Sequence, residues 1–185
     1  YALPALSWQA VLIGDPLYRP FAVSLEQQLA HLDRLPPRLA PYAVLRRMHQ
    51  LDQAGRHDEA TAFGISSQRE VPGLAVGVAL AQRFLEAGDG AAAGNAVGFA
   101  PLLTSFDANE WALVREAAQL LESAGRPNRA ITVWRNLLAT APLPTELRLA
   151  WLPEALKTAQ AVHDDAQVQS WRTELAALST PPPQK

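Results

Sequence analysis

Three stretches decide the fold: LDQAGRHDEA at residues 51–60, FLEAGDGAAA at 84–93 and LESAGRPNRA at 121–130. Each holds a large apolar residue, then Ala-Gly, then an Ala five positions beyond the Gly, at Ala60, Ala93 and Ala130. A Gly closes a helix in left-handed backbone without a Cβ penalty, a polar residue behind it starts the next helix, and a small Ala lets the two helices approach closely. The stretches therefore read as the turns of helical hairpins. Gly55 and Gly88 are 33 residues apart, and Gly88 and Gly125 are 37 apart, spacings typical of stacked helix pairs. Pro72 and Pro142 each follow the packing Ala by twelve residues and stop the second helix. A fourth match, AVHDDA at 161–166, lacks the Gly. It aligns with Ala166 in the place of Ala130 or, shifted by one residue, with Trp171 in the place of Trp134.

Composition agrees with the turns. The 185 residues include 34 Ala and 28 Leu but only 11 Val and 3 Ile, so strong helix formers dominate and strand formers are scarce. The class is all-α. With 16 Lys plus Arg against 18 Asp plus Glu, the formal charge of −2 offers no concentrated basic surface for nucleic acid. The absence of Cys excludes a disulfide framework and Cys-ligated zinc.

Working outward, Ser24 and Gln27 form a capping-box pattern, and Leu25, Leu29 and Leu32 share one face of a first helix expected to run to about Leu35, before Pro36 and Pro37. The next helix begins near Pro41. Residues 1–23 form a non-helical amino-terminal segment: Gln9 to Ile13 is a β-favouring cluster stopped by Gly14, Asp15 and Pro16. It reads either as a connector packed on the helices or as the last strand of a preceding domain, with Tyr1 a cut end. Residues 24–179 form the helical domain. Residues 180–185, TPPPQK, read as a flexible Pro-rich tail. No stretch is long enough to span a membrane as an apolar helix.

The unit from Trp111 to Pro142 resembles a tetratricopeptide repeat: Gly125, Ala130, Trp134 and Pro142 stand at that family's spacing for its turn glycine, packing alanine, aromatic and terminal proline. The likeness extends from about Pro41 to Ser179. Arg47 and Met48 depart from the pattern, standing where the family has an apolar and a small residue, and Gly64 replaces the aromatic. What the resemblance implies is a right-handed α-solenoid of TPR-like hairpins, each burying its apolar face on its neighbours. A second resemblance rests on GDPLYRPF at residues 14–21, similar to the closing stretch of an exosortase-associated bacterial family whose preceding domain is gingipain-like or caspase-like. It implies a C-terminal accessory domain of a larger secreted peptidase-like protein, with a lean to the cell envelope or the exterior, and carries over no catalytic residue.

The polar clusters read as structural. His57-Asp58-Glu59 and His163-Asp164-Asp165 both fall at hairpin turns, where Asp58 and Asp164 suit helix capping and three consecutive side chains diverge rather than converge on a metal. His31 is a solitary histidine, and Arg46-Arg47-Met48-His49 is a charged helix surface. Gly90, Gly94 and Gly98 lie in the uncharged run to Phe106, which reads as a tightly packed, weak second helix. The five Trp residues read mostly as core.

No nucleophile, base, metal or cofactor set emerges, so the expected function is non-catalytic: protein–protein interaction or scaffolding. The partner would be a protein or peptide, or a domain of the parent chain. TPR-like geometry would place Tyr42, Leu45, Arg46, His49 and Asp52, then Val78, Ala79, Gln82 and Leu85, then Arg115, Glu116, Gln119 and Glu122 on the concave face. Among these, Tyr42, Arg46, His49, Gln82, Arg115, Glu116, Gln119 and Glu122 are the candidate binding residues.

Overall fold

The computed structural model describes residues 24–36 and 39–179. The segment at 1–23, with the GDPLYRPF stretch and Trp8, and the tail at 180–185 lie outside the described residues. Among the described residues the chain forms nine α-helices and no strand: α1 (Leu25–Ala30), α2 (Ala40–Gln53), α3 (His57–Glu70), α4 (Leu74–Glu86), α5 (Gly90–Ala96), α6 (Trp111–Ser123), α7 (Pro127–Thr140), α8 (Thr145–Ala161) and α9 (Asp165–Ser179). They pack largely as sequential pairs, α2 with α3, α4 with α5, α6 with α7 and α8 with α9. Along the chain, α2 lies against α4 and α4 against α6, α7 packs on α8, and α1 covers α2.

The pairs exist because each turn satisfies its own backbone. At the three expected glycines φ is +72° at Gly55, +78° at Gly88 and +71° at Gly125. Around each, the residue after the Gly donates its N–H five residues back, Arg56 to Leu51 at 2.9 Å, Asp89 to Phe84 at 2.7 Å and Arg126 to Leu121 at 2.8 Å. The Gly itself bonds three residues back. This Schellman arrangement caps the carbonyls that end the helix. Five residues on, Ala60, Ala93 and Ala130 are each fully buried.

The fourth turn is built the same way with a histidine. His163 has φ +58°, Asp164 donates to Ala159 at 3.0 Å, and His163 donates to Gln160 at 3.1 Å. The residue in the packing position is thus Val168, which is buried, while Ala166 is exposed. Neither alignment offered by the sequence has this register. Asp164 caps α9, accepting from the Gln167 N–H at 3.1 Å. At the first turn the expected cap is absent: Asp58 sits inside the first turn of α3, and no side chain caps that helix. Asp89 is the residue that caps α5, accepting from Ala92 N–H at 2.8 Å.

Two helices are shorter than expected. Ser24 and Gln27 do form the capping box, but α1 ends at Ala30 and gives way to a 3-10 turn at Leu32–Arg34, which presses Leu32 against the core around Met48. The run from Gly90 is helical only to Ala96, followed by a 3-10 turn at Ala100–Leu102 and non-helical chain through 107. Glycine weakens the helix and Pro101 cannot donate to it. Arginine side chains also lie over its glycines, a Cβ at Gly94 falling 2.5 Å from Arg126 Nε and one at Gly98 3.0 Å from Arg129 Nη1.

The departures at Met48 and Gly64 compensate each other. These positions precede and follow Gly55 by seven and nine residues, and a Cβ on Gly64 would fall 2.8 Å from Met48 Sδ. Met48 fills the volume over a bare helix. The equivalent pair around Gly125 is Ala118 with Trp134, both fully buried. Around Gly88 it is Ala81 with Val97, about as small in sum as Met48 with Gly64, and there a Cβ on Gly77 of α4 would fall 2.8 Å from the Ala96 carbonyl oxygen. Trp134, Trp151 and Trp171 are buried and Trp111 is half-buried.

These observations predict how several substitutions change stability. No atom lies within 4 Å of a Cβ placed on Gly125, so Gly125→Ala should cost about 1–2 kcal/mol through backbone strain alone. His163→Gly should relieve similar strain and raise stability by up to about 1 kcal/mol, less the entropy of Gly. Urea unfolding measures both, and a destabilised His163→Gly would show instead that the imidazole holds the turn. Met48→Ala should cost about 2–5 kcal/mol. Adding Gly64→Phe should recover about half of it or more, and a double-mutant cycle with no coupling would refute the exchange of volume.

Candidate interaction surface

The first helices of successive pairs, α2, α4, α6 and α8, are tied side to side by polar groups. Asp52 of α2 accepts from both terminal nitrogens of Arg83 on α4, one of them at 3.1 Å, and contacts His57 Nδ1 at 3.1 Å. The Arg83 bond foremost, with that from His57, holds the Asp52 carboxyl below its ordinary range against the opposing effect of burial. Gln82 of α4 donates to Glu116 of α6. Arg115 of α6 grips Glu154 of α8 through Nε at 2.8 Å and Nη2 at 2.5 Å, and Gln119 joins the same carboxylate at 3.0 Å. Glu122 accepts from Trp134 Nε1 at 3.3 Å and from the buried Thr158 hydroxyl.

Five of the eight candidate residues, Gln82, Arg115, Glu116, Gln119 and Glu122, are therefore engaged in joining helices. The other three lie on the solvent side of α2: Tyr42 is 53% exposed, Arg46 is exposed, and His49 is exposed with its Nε2 3.0 Å from Gln53 Nε2. Val78 belongs to the core, and Leu45, Ala79 and Leu85 are half-buried. The eight do not converge on one pocket.

A different feature stands where the sequence spacing stretches from 33 to 37 residues. The linker between α5 and α6 brings Phe99, Leu103 and Phe106 against the starts of α2 and α4 to form an apolar groove of about 500 Å³, with Leu39, Tyr42 and Leu113 also on its walls. Asn136 of α7 fixes this linker: its amide donates to the carbonyls of Pro101 at 3.0 Å and Leu103 at 2.9 Å. Among the described residues the large hydrophobic side chains left exposed are Leu39 at 51%, Tyr42 at 53% and Leu102 at 79%. All three lie on this groove or its linker, an exposed apolar surface of the kind that marks interaction sites. Only Tyr42 had been singled out by sequence; the usable signal for the rest was the longer spacing with its three spaced large apolar residues.

A second hollow of about 400 Å³, between α2 and α4, is lined by Asp52, His57, Ala79, Gln82, Arg83 and Glu86. Most of its polar groups are committed to the ties already described. Among the described residues no three His, Asp or Glu gather as metal ligands, and His57-Asp58-Glu59 diverges, with Glu59 paired to Arg56 at 2.5 Å and His57 turned to Asp52. No described helix is long and apolar enough to cross a membrane.

The lowered Asp52 value has a sign. The folded state prefers the ionised carboxylate, so this contribution to stability is fully present above the ordinary aspartate range, ~3.9, and is lost as pH falls through it toward the lowered value. Thermal melts from pH 6 to about pH 3 should show a steeper loss for the natural chain than for Asp52→Asn; parallel curves would mean the Arg83 tie contributes nothing. Compared with protein-family models, curated proteins and solved structures, the chain matches none.

Proposed function

We propose that this chain is a non-catalytic protein-interaction or scaffolding module, a short right-handed stack of TPR-like helix pairs that holds a protein segment, or a domain of its parent chain, in the groove beside Tyr42. The observation that carries this reading is a coincidence of two departures. Two intervals between turns exceed 33 residues: Gly125 to His163 adds its residues mainly in the longer helix α8, whereas Gly88 to Gly125 adds them in a non-helical linker, and large apolar side chains remain uncovered at the groove this linker helps to form. Insertions in helical-repeat proteins map to loops on one face, often the binding face, and binding residues concentrate on loops held by a rigid scaffold. Arg46 and His49, further along α2, extend the same exposed face. The ties made by Arg115, Gln119 and Glu154 supply the scaffold rather than the contact.

A random 12-residue peptide display library screened against the full chain tests this. Binders should lose tenfold or more in affinity with Leu39→Ser/Tyr42→Ser, whose side chains are half exposed and whose loss spares the core. Asn136→Ala should weaken binding several-fold by freeing the linker. Arg115→Ala/Gln119→Ala should lower the melting temperature while leaving binding at low temperature. Peptides indifferent to Leu39 and Tyr42 would overturn the groove as the site.

A further inference from the structure

We propose that α1 to α3 unfold as one cooperative unit while α4 to α9 stay folded, so that the molecule opens along the seam between α2 and α4. The division is set by α4, whose side chains serve two separate cores. Val76 and Leu80 pack with Val44, Met48, Leu51 and Ala60 of the first pair, whereas Val78 and Ala81 belong to one cluster that continues through α5 to α9. Among the described residues no buried side chain belongs to both clusters, and the half-buried Phe84 and Ala96 lean on each.

The two sides of the seam are anchored unequally. Of the 14 residues of α3, those buried are Ala60, Gly64 and Ser67, so this helix brings no large side chain fully into the core. α7, of equal length, buries Ile131, Val133, Trp134, Leu137 and Leu138. Met48 of α2 fills the space over Gly64 and also meets the side of α3 that faces Leu80, so α2 and α3 lose their attachment together. Burial stabilises in proportion to the apolar area removed from water, and opening this unit gives up far less of it than unfolding the whole chain. The glycine-rich α5 stays with the larger unit, because Ala93 is fully buried there and Arg126 holds Asn95 and the Ala91 carbonyl.

The seam is also incompletely filled. The groove of about 500 Å³ opens where Pro41 and Tyr42 of α2 face Leu74 and Ala75 of α4, and the hollow of about 400 Å³ opens where the two helices end. Beside that second hollow the Asp52 and Arg83 tie crosses the seam as a latch. Opening takes Leu39, Pro41 and Tyr42 away from the groove, whose remaining walls belong to the larger unit. A partner spanning both sides therefore binds only the closed state and draws the population toward it. That consequence rests on the reading of the groove as the interaction site; the opening itself does not.

Amide hydrogen exchange of the full natural chain, followed by mass spectrometry where exchange reports opening equilibria, tests this. The slowest amides of α2 and α3 should exchange about 100-fold or more faster than those of α6 to α8. Ile131→Val, placed in the larger cluster, should speed α6 to α8 about two- to tenfold and leave α2 and α3 unchanged. Equal protection on both sides of the seam, or an Ile131→Val change that speeds α2 and α3 alike, would overturn the separate unit. Arg83→Met should speed α2 and α3 about threefold, and no change would remove the latch. Because the chain has no Cys, Ala60→Cys and Ala130→Cys give a second readout from two fully buried, equivalent positions. The thiol at position 60 should react about 100-fold faster than that at 130; equal rates would overturn the proposal. Neither readout uses a partner, so its failure leaves the groove standing as a site, and a groove indifferent to Leu39 and Tyr42 leaves the opening standing.

Discussion

The structure depends on one backbone conformation repeated at four points. A residue in left-handed geometry ends the first helix of a pair, returns two N–H groups to the carbonyls behind it, and launches the second helix so that the fifth residue onward lies against the first helix. That direction fixes which side chains must meet. Ala60, Ala93, Ala130 and Val168 are buried as a consequence of the turn rather than by separate provision. The same geometry brings the positions seven before and nine after the turn into one layer, so their volumes are constrained as a pair. Met48 with Gly64, Ala81 with Val97 and Ala118 with Trp134 are three solutions of that constraint.

A second constraint acts between pairs. Two clusters form the apolar core, one around α2 to α4 and a larger one from α4 to α9, and Phe84 and Ala96 lean on both. Along the side formed by α2, α4, α6 and α8, ion pairs and hydrogen bonds link each first helix to the next. Surface ion pairs contribute little individually, but Arg115 with Glu154 is bidentate and shares its carboxylate with Gln119. Glu122 lies deeper, receiving the Trp134 indole N–H and the Thr158 hydroxyl. Leaving such donors unsatisfied is costlier than the bonds are stabilising, so these contacts specify how successive helices align.

The all-helical class, the three glycine turns and the buried Ala60, Ala93 and Ala130 were legible in the sequence because they depend on local spacing. The fourth turn was not: His163 carries none of the compositional signal of Gly, and the eye-catching Ala166 lies two residues from the buried position. The TPR-like register implied by the resemblance also put Gln82, Arg115, Gln119 and Glu122 on a common side but could not distinguish water from a neighbouring helix. Their partners lie 34, 39, 35 and 36 residues away, beyond any local pattern. Residues that look like an open binding face in one dimension are closed by the next pair in three. The groove was hidden for the opposite reason. Phe99, Leu103 and Phe106 sit in a run whose Ala and Gly content suggested a longer helix, and only its premature end at Ala96 frees them to line a surface.

That premature end links the short, glycine-rich α5 to the exposed apolar groove. A full-length second helix after Gly88 would have continued the packing of its neighbours and covered the apolar side chains that now face the groove. Seven residues of helix cannot do so, and the chain that follows lacks regular backbone pairing of its own. Contacts from the following pair hold both the short helix and this chain: Arg126 donates to Asn95 at 2.8 Å and to the Ala91 carbonyl at 3.1 Å within α5, and Asn136 holds Pro101 and Leu103 beyond it. All these donors belong to α7 or the turn before it. The shape of the groove is therefore coupled to the docking of α7, which in turn rests on the Gly125 turn and the Trp134 contact. A change that loosens the third pair reaches the groove without touching any residue that lines it, and the local weakness of α5 is the condition for having an open apolar groove at that end of the molecule.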